Sequence, residues 1–198
     1  MSSAVFEVLV VCTGNIARSP MAQRLLEQGL GEGSAIRVRS AGTWGHEGSP
    51  MEAHARAALA EVGVHDGGFR ARELTAPMVS EARLVLSATR EHRAAVVGLD
   101  PAALRRVFTL REFARLLPVA DTAHLAGPAD LVAAVAAVRG RVRAAPGEDD
   151  VADPLGASLS GYRRCRDVIA SAVDVIGPAL LAAEAAAQSR PKGRPGLQ

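Results

Sequence analysis

Aromatic residues and cysteines are scarce in this chain of 198 residues. Both shortages restrict the kinds of core, cross-link and metal site that it can form. Phe, Trp and Tyr make up 3% of the sequence against 48% for all hydrophobic types, so the core must rest on aliphatic residues. The two cysteines, Cys12 and Cys165, lie far apart and belong to no Cys-x-x-Cys or Cys/His cluster. The sequence therefore predicts no disulfide framework, no metal site and no cofactor. It also predicts a cytoplasmic, reducing compartment in which Cys12 stays a thiol.

Lysine is almost missing, since 22 of the 23 basic residues are Arg, and the net charge is only +2. The arginines alternate with acidic residues along most of the chain instead of gathering on one element, which argues against a nucleic-acid partner. A strand-like run follows Met1-Ser2-Ser3 at once and leaves no room for a signal peptide. No apolar run approaches the roughly 20 residues that span a bilayer. We therefore expect neither a nucleic acid nor a membrane as partner.

Short apolar runs of strand length alternate with runs of helical period. The predicted strands are 5–11, 36–41, 84–88 and 107–110. The predicted helices are 20–29, 51–62, a short helix that begins at 76, 90–97, 131–138 and 162–176. This alternation predicts a single α/β domain, residues 1–188, with a parallel sheet covered by helices on both faces. Residues 189–198 are rich in Pro, Gly and Arg and are predicted to form a disordered tail.

The loop after the first strand carries the chemistry. Cys12 ends the strand, so the N-terminus of the following helix directs partial positive charge at its sulfur. Arg18 can curl back over so compact a loop, and both features favour the thiolate, which is the nucleophilic form. Gly14 and Asn15 readily take the left-handed conformation that the curl needs. Backbone N–H groups can then surround a tetrahedral dianion while the Arg18 guanidinium binds two of its oxygens.

An isolated cysteine at a strand end is more often a small buried side chain than a nucleophile. The context of Cys12 favours the nucleophile, because a Gly-Asn turn, Arg18, Ser19 and Pro20 follow it in order. Ser19 can donate a hydrogen bond to the sulfur and stabilise it as a leaving group. The loop lacks the Gly-Lys-Ser/Thr of a nucleotide-binding loop.

The segment Val11–Ala22 closely resembles the active-site loop of the low-molecular-weight protein tyrosine phosphatases. Ser40–Thr43 followed by Trp44 resembles that family's second strand and substrate-side loop, and Asp153-Pro154 resembles its general-acid loop. The resemblance implies a four-stranded parallel sheet with the phosphate-binding loop after the first strand. It further implies metal-free hydrolysis of phosphotyrosine, in a protein or as a small aryl phosphate, through a cysteinyl-phosphate intermediate.

The same resemblance assigns roles to residues. Cys12 is the nucleophile and Arg18 the phosphate-binding cation, and Asn15 and Ser40 hold the loop by hydrogen bonds. The rest of the phosphate site is the loop itself: Thr13, Gly14, Asn15, Ile16, Ala17 and Ser19.

Expulsion of a phenolate needs a proton donor, and three carboxyl groups lie close together in one loop: Asp149, Asp150 and Asp153. An acidic run is usually solvated surface, which we expect of Asp149 and Asp150. Asp153 differs because Pro154 restricts its backbone and stiffens the loop. The resemblance selects the same residue, so Asp153 is the predicted general acid, and its carboxylate would then activate water.

Trp44, the only tryptophan, lies in a loop flanked by glycines. It is either a partly buried core aromatic or a cleft wall that stacks on a substrate ring, and we predict the cleft wall. His46 is a weaker candidate for the same rim, and the remaining histidines, His92 among them, are expected on the surface or on a helix face. Cys165 falls on an apolar helical stripe and is expected to be buried.

The chain departs from the family pattern in three places. Ala17 stands where members commonly carry a second cysteine that can capture an oxidised nucleophile as a disulfide, so we expect this protein to lack that protection. An extra stretch, 118–147, and Leu155-Gly156, where many members have aromatic residues, leave catalysis intact but bear on substrate preference.

Two other functions fit parts of the pattern. An arsenate reductase that borrows an external thiol would use the same loop, because arsenate and phosphate share shape and charge. Asp153 argues against it, since reduction needs no protonated aryl leaving group. A non-catalytic phosphate-binding module would keep the loop but could lose the nucleophile or the acid. Cys12, Arg18 and Asp153 are all present, so a phosphatase is the prediction.

Overall fold

The structure is a computed structural model and describes residues 5–189. At its centre is a sheet of four parallel strands in the order β2-β1-β3-β4. The strands are β1 (Glu7–Cys12), β2 (Arg37–Gly42), β3 (Leu84–Ser87) and β4 (Val107–Thr109). Cys12 pairs with Gly42, and Ser87 pairs with both Val11 and Thr109. The carboxyl ends of all four strands therefore lie along one edge of the sheet.

Helices cover both faces of this sheet. They are α1 (Arg18–Leu30), α2 (Ala53–Ala60), α3 (Ala76–Glu81), α4 (Arg90–Leu99), α5 (Leu110–Leu116), α6 (Pro128–Val138) and α7 (Leu159–Ser189). Side chains of β1 alternate between two cores: Val8 and Val10 join the core formed with α1, α2, α5, α6 and α7, while Leu9 and Val11 join the core formed with α3 and α4. This two-sided burial explains why β1 is almost wholly apolar.

The predicted fold class is confirmed in its sheet, its strand number and its helices on both faces. Most boundaries shift by a few residues, but one element was missed. Leu110, predicted as the end of the fourth strand, begins α5. The Thr109 hydroxyl accepts a hydrogen bond from the Glu112 N–H, and the Glu112 carboxylate accepts one from the Thr109 N–H. This capping box ends the strand and starts the helix.

Helix α7 is longer than the predicted stripe at 162–176, and it continues through Pro178. By length and composition alone it could cross a membrane, so the expectation that no apolar run is long enough was wrong. It packs against α1, α2, α5 and α6 and buries Tyr162, Ile169 and Ile176 there, as a core helix does.

The C-terminal tail was predicted to begin at Ser189. Ser189 is the last residue of α7, and residues 190–198 of the predicted tail lie outside the described residues. The extra stretch 118–147 contributes α6, whose buried residues Leu131, Val135 and Val138 are those predicted for it.

Candidate active site

The loop from Cys12 to Arg18 joins β1 to α1 at the carboxyl edge of the sheet, and Asn15 holds its curl. Asn15 has a positive φ of 53° and is fully buried. Its side-chain amide donates to the hydroxyls of Ser19 and Ser40, each at 2.9 Å. Its carbonyl oxygen accepts from the Arg72 N–H at 2.9 Å. Three hydrogen bonds thus fix a residue type that tolerates the left-handed conformation.

Cys12 is only 2% exposed, and its Sγ lies 2.9 Å from the Ser19 Oγ. The Ser19 oxygen accepts from Asn15, so its own proton can point to the sulfur at 2.9 Å or to the Ala41 carbonyl at 3.5 Å. A thiolate can only accept, so this contact suits the anionic form of Cys12. The N-terminal turn of α1 adds partial positive charge beside the sulfur.

The backbone of the loop is available to an anion. Within residues 5–189, the N–H groups of residues 14–17 have no protein hydrogen-bond acceptor. Two carbonyl groups of the loop accept hydrogen bonds from other segments: that of Gly14 from the His46 N–H, and that of Ile16 from the Glu52 N–H. The loop is therefore held by its carbonyl oxygens, and its N–H groups remain available to donate to phosphoryl oxygens.

The segment after β2 packs directly on the phosphate loop. The N–H groups of Thr43 and Trp44 donate to the carbonyls of Cys12 and Thr13 at 2.8 and 3.0 Å. A Cβ at Gly42 would lie 2.3 Å from the Thr13 carbonyl oxygen, so only glycine permits this approach. These contacts place Trp44 beside the entrance to Cys12.

Arg18 and Asp153 face each other across the site. Arg18 is 6% exposed, and one terminal nitrogen of its guanidinium donates to the Val151 carbonyl at 3.3 Å. The other donates to the Asp153 Oδ2 at 2.5 Å and to the Thr13 Oγ1 at 3.2 Å. The Asp153 side chain is 46% exposed, so it is both tied to the loop and open to solvent.

A cavity of about 120 Å³ opens over Cys12, and its walls are formed by the loop together with Trp44, His46, Asp153 and Leu155. Trp44 is 73% exposed and lies on the rim, where its ring centroid is 6.1 Å from that of His46. The structure thus places Trp44 at the cleft and not in the core. A larger cavity of about 580 Å³ lies against α6 and shares no residue with this one.

The other two acids of the loop are not simply solvated, contrary to expectation. Asp149 is 8% exposed and forms two hydrogen bonds of 3.0 Å with Arg115, which raise the pKa of the Arg115 guanidinium. Asp150 accepts from the Arg90 N–H at 2.8 Å, at the start of α4. Both carboxylates anchor the loop to the body of the protein, because the loop must cross the ends of β3 and β4 to bring Asp153 to Arg18.

His92 was expected on the surface or on a helix face; it lies in the first turn of α4, only 7% exposed, behind the phosphate loop. Its Nε2 is 2.8 Å from the Thr13 Oγ1, and its Nδ1 is 2.8 Å from the Thr89 Oγ1. Burial lowers the pKa of His92 from its ordinary value, and the charge of Arg18 lowers it further. The sequence alone does not show this contact, because it depends on β3 lying beside β1 in the sheet.

Cys165 is buried, as expected, and burial raises the pKa of its thiol to about 12. Within the part of the chain that the structure describes, no three His, Cys, Asp or Glu side chains are grouped to hold a metal ion.

Comparison with known proteins gives the same family from sequence and from fold. The family model for low molecular weight phosphotyrosine protein phosphatase matches residues 7–145, which include the loop but not Asp153. A protein-arginine-phosphatase of Geobacillus stearothermophilus is 31% identical over 169 residues, 85% of this chain and 92% of the relative. The low molecular weight protein-tyrosine-phosphatase Etp of Escherichia coli is 42% identical over 94 residues, 48% of this chain and 62% of Etp.

A solved structure of the YwlE arginine phosphatase from Geobacillus stearothermophilus superimposes with a TM-score of 0.68 and 29% identity, covering 89% of this chain and 94% of that one. The predicted family is therefore confirmed. The chain belongs to the low molecular weight phosphotyrosine protein phosphatase family, and it is a phosphatase of that cysteine-dependent, metal-independent kind.

Proposed function

We propose that this phosphatase hydrolyses phosphotyrosine or similar aryl phosphate monoesters, with Cys12 as nucleophile, Arg18 as phosphate-binding cation and Asp153 as general acid. The observation that carries the aryl preference is the wall of the cavity over Cys12, which contains Ile16, Trp44 and Leu155. Apolar and aromatic side chains at this position suit a flat ring next to a bound phosphoryl group.

In the first step the Cys12 thiolate attacks phosphorus, an S–P bond forms and the ester O–P bond breaks. The phenolic oxygen takes the proton of the Asp153 carboxyl group. Arg18 and the loop N–H groups bind the equatorial phosphoryl oxygens, where charge accumulates. The phosphoryl group of a bound substrate would compete with Asp153 for the Arg18 guanidinium. This competition would release the Asp153 carboxyl group towards the leaving oxygen.

In the second step a water molecule attacks phosphorus and gives its proton to the Asp153 carboxylate. The S–P bond breaks, inorganic phosphate leaves and the thiolate is restored. Ser19, 2.9 Å from the sulfur, supports this departure by donating to the developing negative charge.

Phosphoarginine is the second candidate, because the Geobacillus stearothermophilus relative is named a protein-arginine-phosphatase. Its leaving group is a guanidine, whose several N–H groups need acceptors. Among the residues that line the cavity, Asp153 is the only carboxylate, and Ile16, Trp44 and Leu155 make much of the wall apolar. This lining favours the aryl ester.

Two phosphopeptides of otherwise identical sequence, one with phosphotyrosine and one with phosphoarginine, test the proposal. We expect kcat/KM for phosphotyrosine to exceed that for phosphoarginine by about tenfold or more, because the guanidine loses solvent contacts without replacement. Trp44→Ala should reduce kcat/KM for phosphotyrosine more than for a small alkyl phosphate. Equal or reversed preference between the two peptides would overturn the aryl assignment and leave the phosphatase chemistry standing.

A further inference from the structure

A chain of hydrogen bonds runs from α4 to the catalytic arginine through His92. His92 lies in the first turn of α4, and its backbone N–H donates to the Thr89 hydroxyl that caps the helix. Its ring then reaches the phosphate loop, with Nε2 2.8 Å from the Thr13 Oγ1. Arg18 donates to that same Thr13 oxygen at 3.2 Å. One buried imidazole therefore connects a helix cap to the guanidinium.

The contacts at the two ring nitrogens fit either neutral tautomer of His92, and one of the two tautomers leaves Nε2 free to accept the Thr13 proton. A guanidinium only donates, so the Thr13 oxygen accepts from Arg18 and is free to donate its own proton elsewhere. In that tautomer His92 carries its proton on Nδ1, and the Thr89 oxygen, which already accepts from the His92 backbone N–H, accepts a second bond from Nδ1–H. The ring then accepts the Thr13 proton at Nε2. Thr13 is thereby fixed with a lone pair towards Arg18.

We propose that His92 is a positioning residue, whose neutral ring holds the Thr13 hydroxyl so that Thr13 orients the Arg18 guanidinium for phosphoryl binding. This inference rests on the proposed roles of Cys12 and Arg18. Arg18 also contacts Val151 and Asp153, but a phosphoryl group competes for the Asp153 contact. The Thr13 contact, held from behind by His92, remains available to orient the guanidinium throughout the reaction.

The charge of the His92 ring determines whether the ring can accept the hydrogen bond from Thr13. Burial lowers the pKa of His92, and Arg18 acts in the same direction, whereas Glu91, Asp153 and Asp150 oppose them. The lowered pKa favours the neutral ring at neutral pH. Protonation at lower pH turns Nε2 into a donor, so Thr13 can no longer donate to it, and a second positive charge appears beside Arg18. Activity should therefore fall as pH decreases through the titration of His92.

Substitutions at His92 separate orientation from packing. His92→Phe fills the space but offers no acceptor, and we expect kcat on an aryl phosphate to fall about tenfold, since small displacements of a catalytic group cost this much or more. His92→Gln offers a side-chain oxygen to Thr13 and should recover part of the loss. In His92→Gln the acidic fall in kcat that belongs to the imidazole should vanish from the pH profile.

A double-mutant cycle tests the route through Thr13. If His92 acts on Arg18 through the Thr13 hydroxyl, Thr13→Val combined with His92→Phe should be no slower than Thr13→Val alone. Additive losses in kcat would contradict that route.

The chain also offers a matched control for helix capping. Thr89 and Thr75 are both N-cap residues whose hydroxyls accept a backbone N–H, but only Thr89 contacts His92. Thr89→Val and Thr75→Val should lower Tm by similar amounts, while only Thr89→Val lowers kcat. The proposal is overturned if the wild type is active and His92→Phe and Thr89→Val keep its kcat and pH profile. Failure of the proposed function would instead show as a wild type inactive on aryl phosphates.

Discussion

The two loops that build the site are held in different ways. In the phosphate loop, Cys12, Asn15, Arg18 and Ser19 are all nearly buried. The side chains of Cys12, Asn15 and Ser19 bond to one another and to Ser40 of β2, and Arg18 bonds to Thr13 within the loop. In the acid loop, the Asp153 side chain is 46% exposed, and its contacts are with Arg18 and the Leu155 N–H. The anion site is therefore rigid before substrate arrives, whereas the proton donor keeps freedom to move.

This difference suits the two tasks. Phosphoryl oxygens need donors at fixed positions, because transition-state charge is stabilised best by groups that do not have to reorganise. The acid must first approach the ester oxygen and later a water molecule. Its loop is anchored on either side of Asp153, by the Asp149–Arg115 pair and by buried Pro154, while Asp153 itself stays accessible.

Removal of the nucleophile should have the largest effect. Cys12→Ser replaces the thiol with a far less acidic hydroxyl, so the loop can no longer supply an anion for attack, and turnover of p-nitrophenyl phosphate should be abolished. Circular dichroism and Tm should show that the fold survives. Residual activity of about a tenth of wild type would refute a covalent role for Cys12, because a serine nucleophile at this position cannot reach that rate.

The acid loop should give a smaller loss that depends on the substrate. Asp153→Asn removes the proton donor, and kcat on a phosphotyrosine peptide should fall about 10²–10⁴-fold, the usual contribution of general acid catalysis. An ester with a leaving group that departs readily as an anion should lose much less.

Asp150→Asn is the control within the same loop, and it should keep kcat near wild type for both esters. Asp149→Asn breaks a buried ion pair, so its main effect should be on Tm. A leaving-group-dependent loss in Asp150→Asn or Asp149→Asn, and none in Asp153→Asn, would show that the acid is assigned to the wrong residue.

Substitutions at Asn15 test the rigidity of the phosphate loop. Asn15→Gly keeps the positive φ but loses three hydrogen bonds, whereas Asn15→Ala loses the bonds and adds backbone strain. Each buried partner left unsatisfied costs about 1–3 kcal/mol, and left-handed backbone adds roughly 1–2 kcal/mol for alanine. Urea unfolding should therefore rank wild type above Asn15→Gly and Asn15→Gly above Asn15→Ala. Wild-type stability in both variants would show that the network does not hold the loop.

Substitution of Ala17 by Cys should have the smallest effect, which appears only after Cys12 is oxidised. Peroxide converts a cysteine thiolate to a sulfenic acid, which overoxidises irreversibly unless another thiol forms a disulfide with it. Burial raises the pKa of the Cys165 thiol to about 12, which disfavours the thiolate needed to attack an oxidised Cys12. Ala17→Cys should therefore recover more activity with dithiothreitol after equal peroxide exposure. Equal recovery in both proteins would mean that Cys165 or another group already protects the nucleophile.

The parts that the sequence predicted best depend on neighbours in the chain. The caps at Thr75 and Thr89 and the strand-loop-helix order around Cys12 follow from short segments, and the structure has them. The contact of His92 with Thr13 joins residues 79 positions apart and depends on β1 and β3 being adjacent. The Asp149–Arg115 pair joins residues 34 positions apart, so the sequence did not show that this acidic run is paired. Helix α5 was missed although its capping box is visible in the sequence.

The most direct test is to identify the residue that carries the phosphoryl group during turnover. Asp153→Asn should accumulate the intermediate on an activated aryl phosphate, because attack needs little acid help while water activation is lost. Rapid acid quenching followed by peptide mass spectrometry should then locate one phosphoryl group on Cys12. A phosphoryl group on any other residue, or continued turnover with no phosphoenzyme in this variant, would contradict the account.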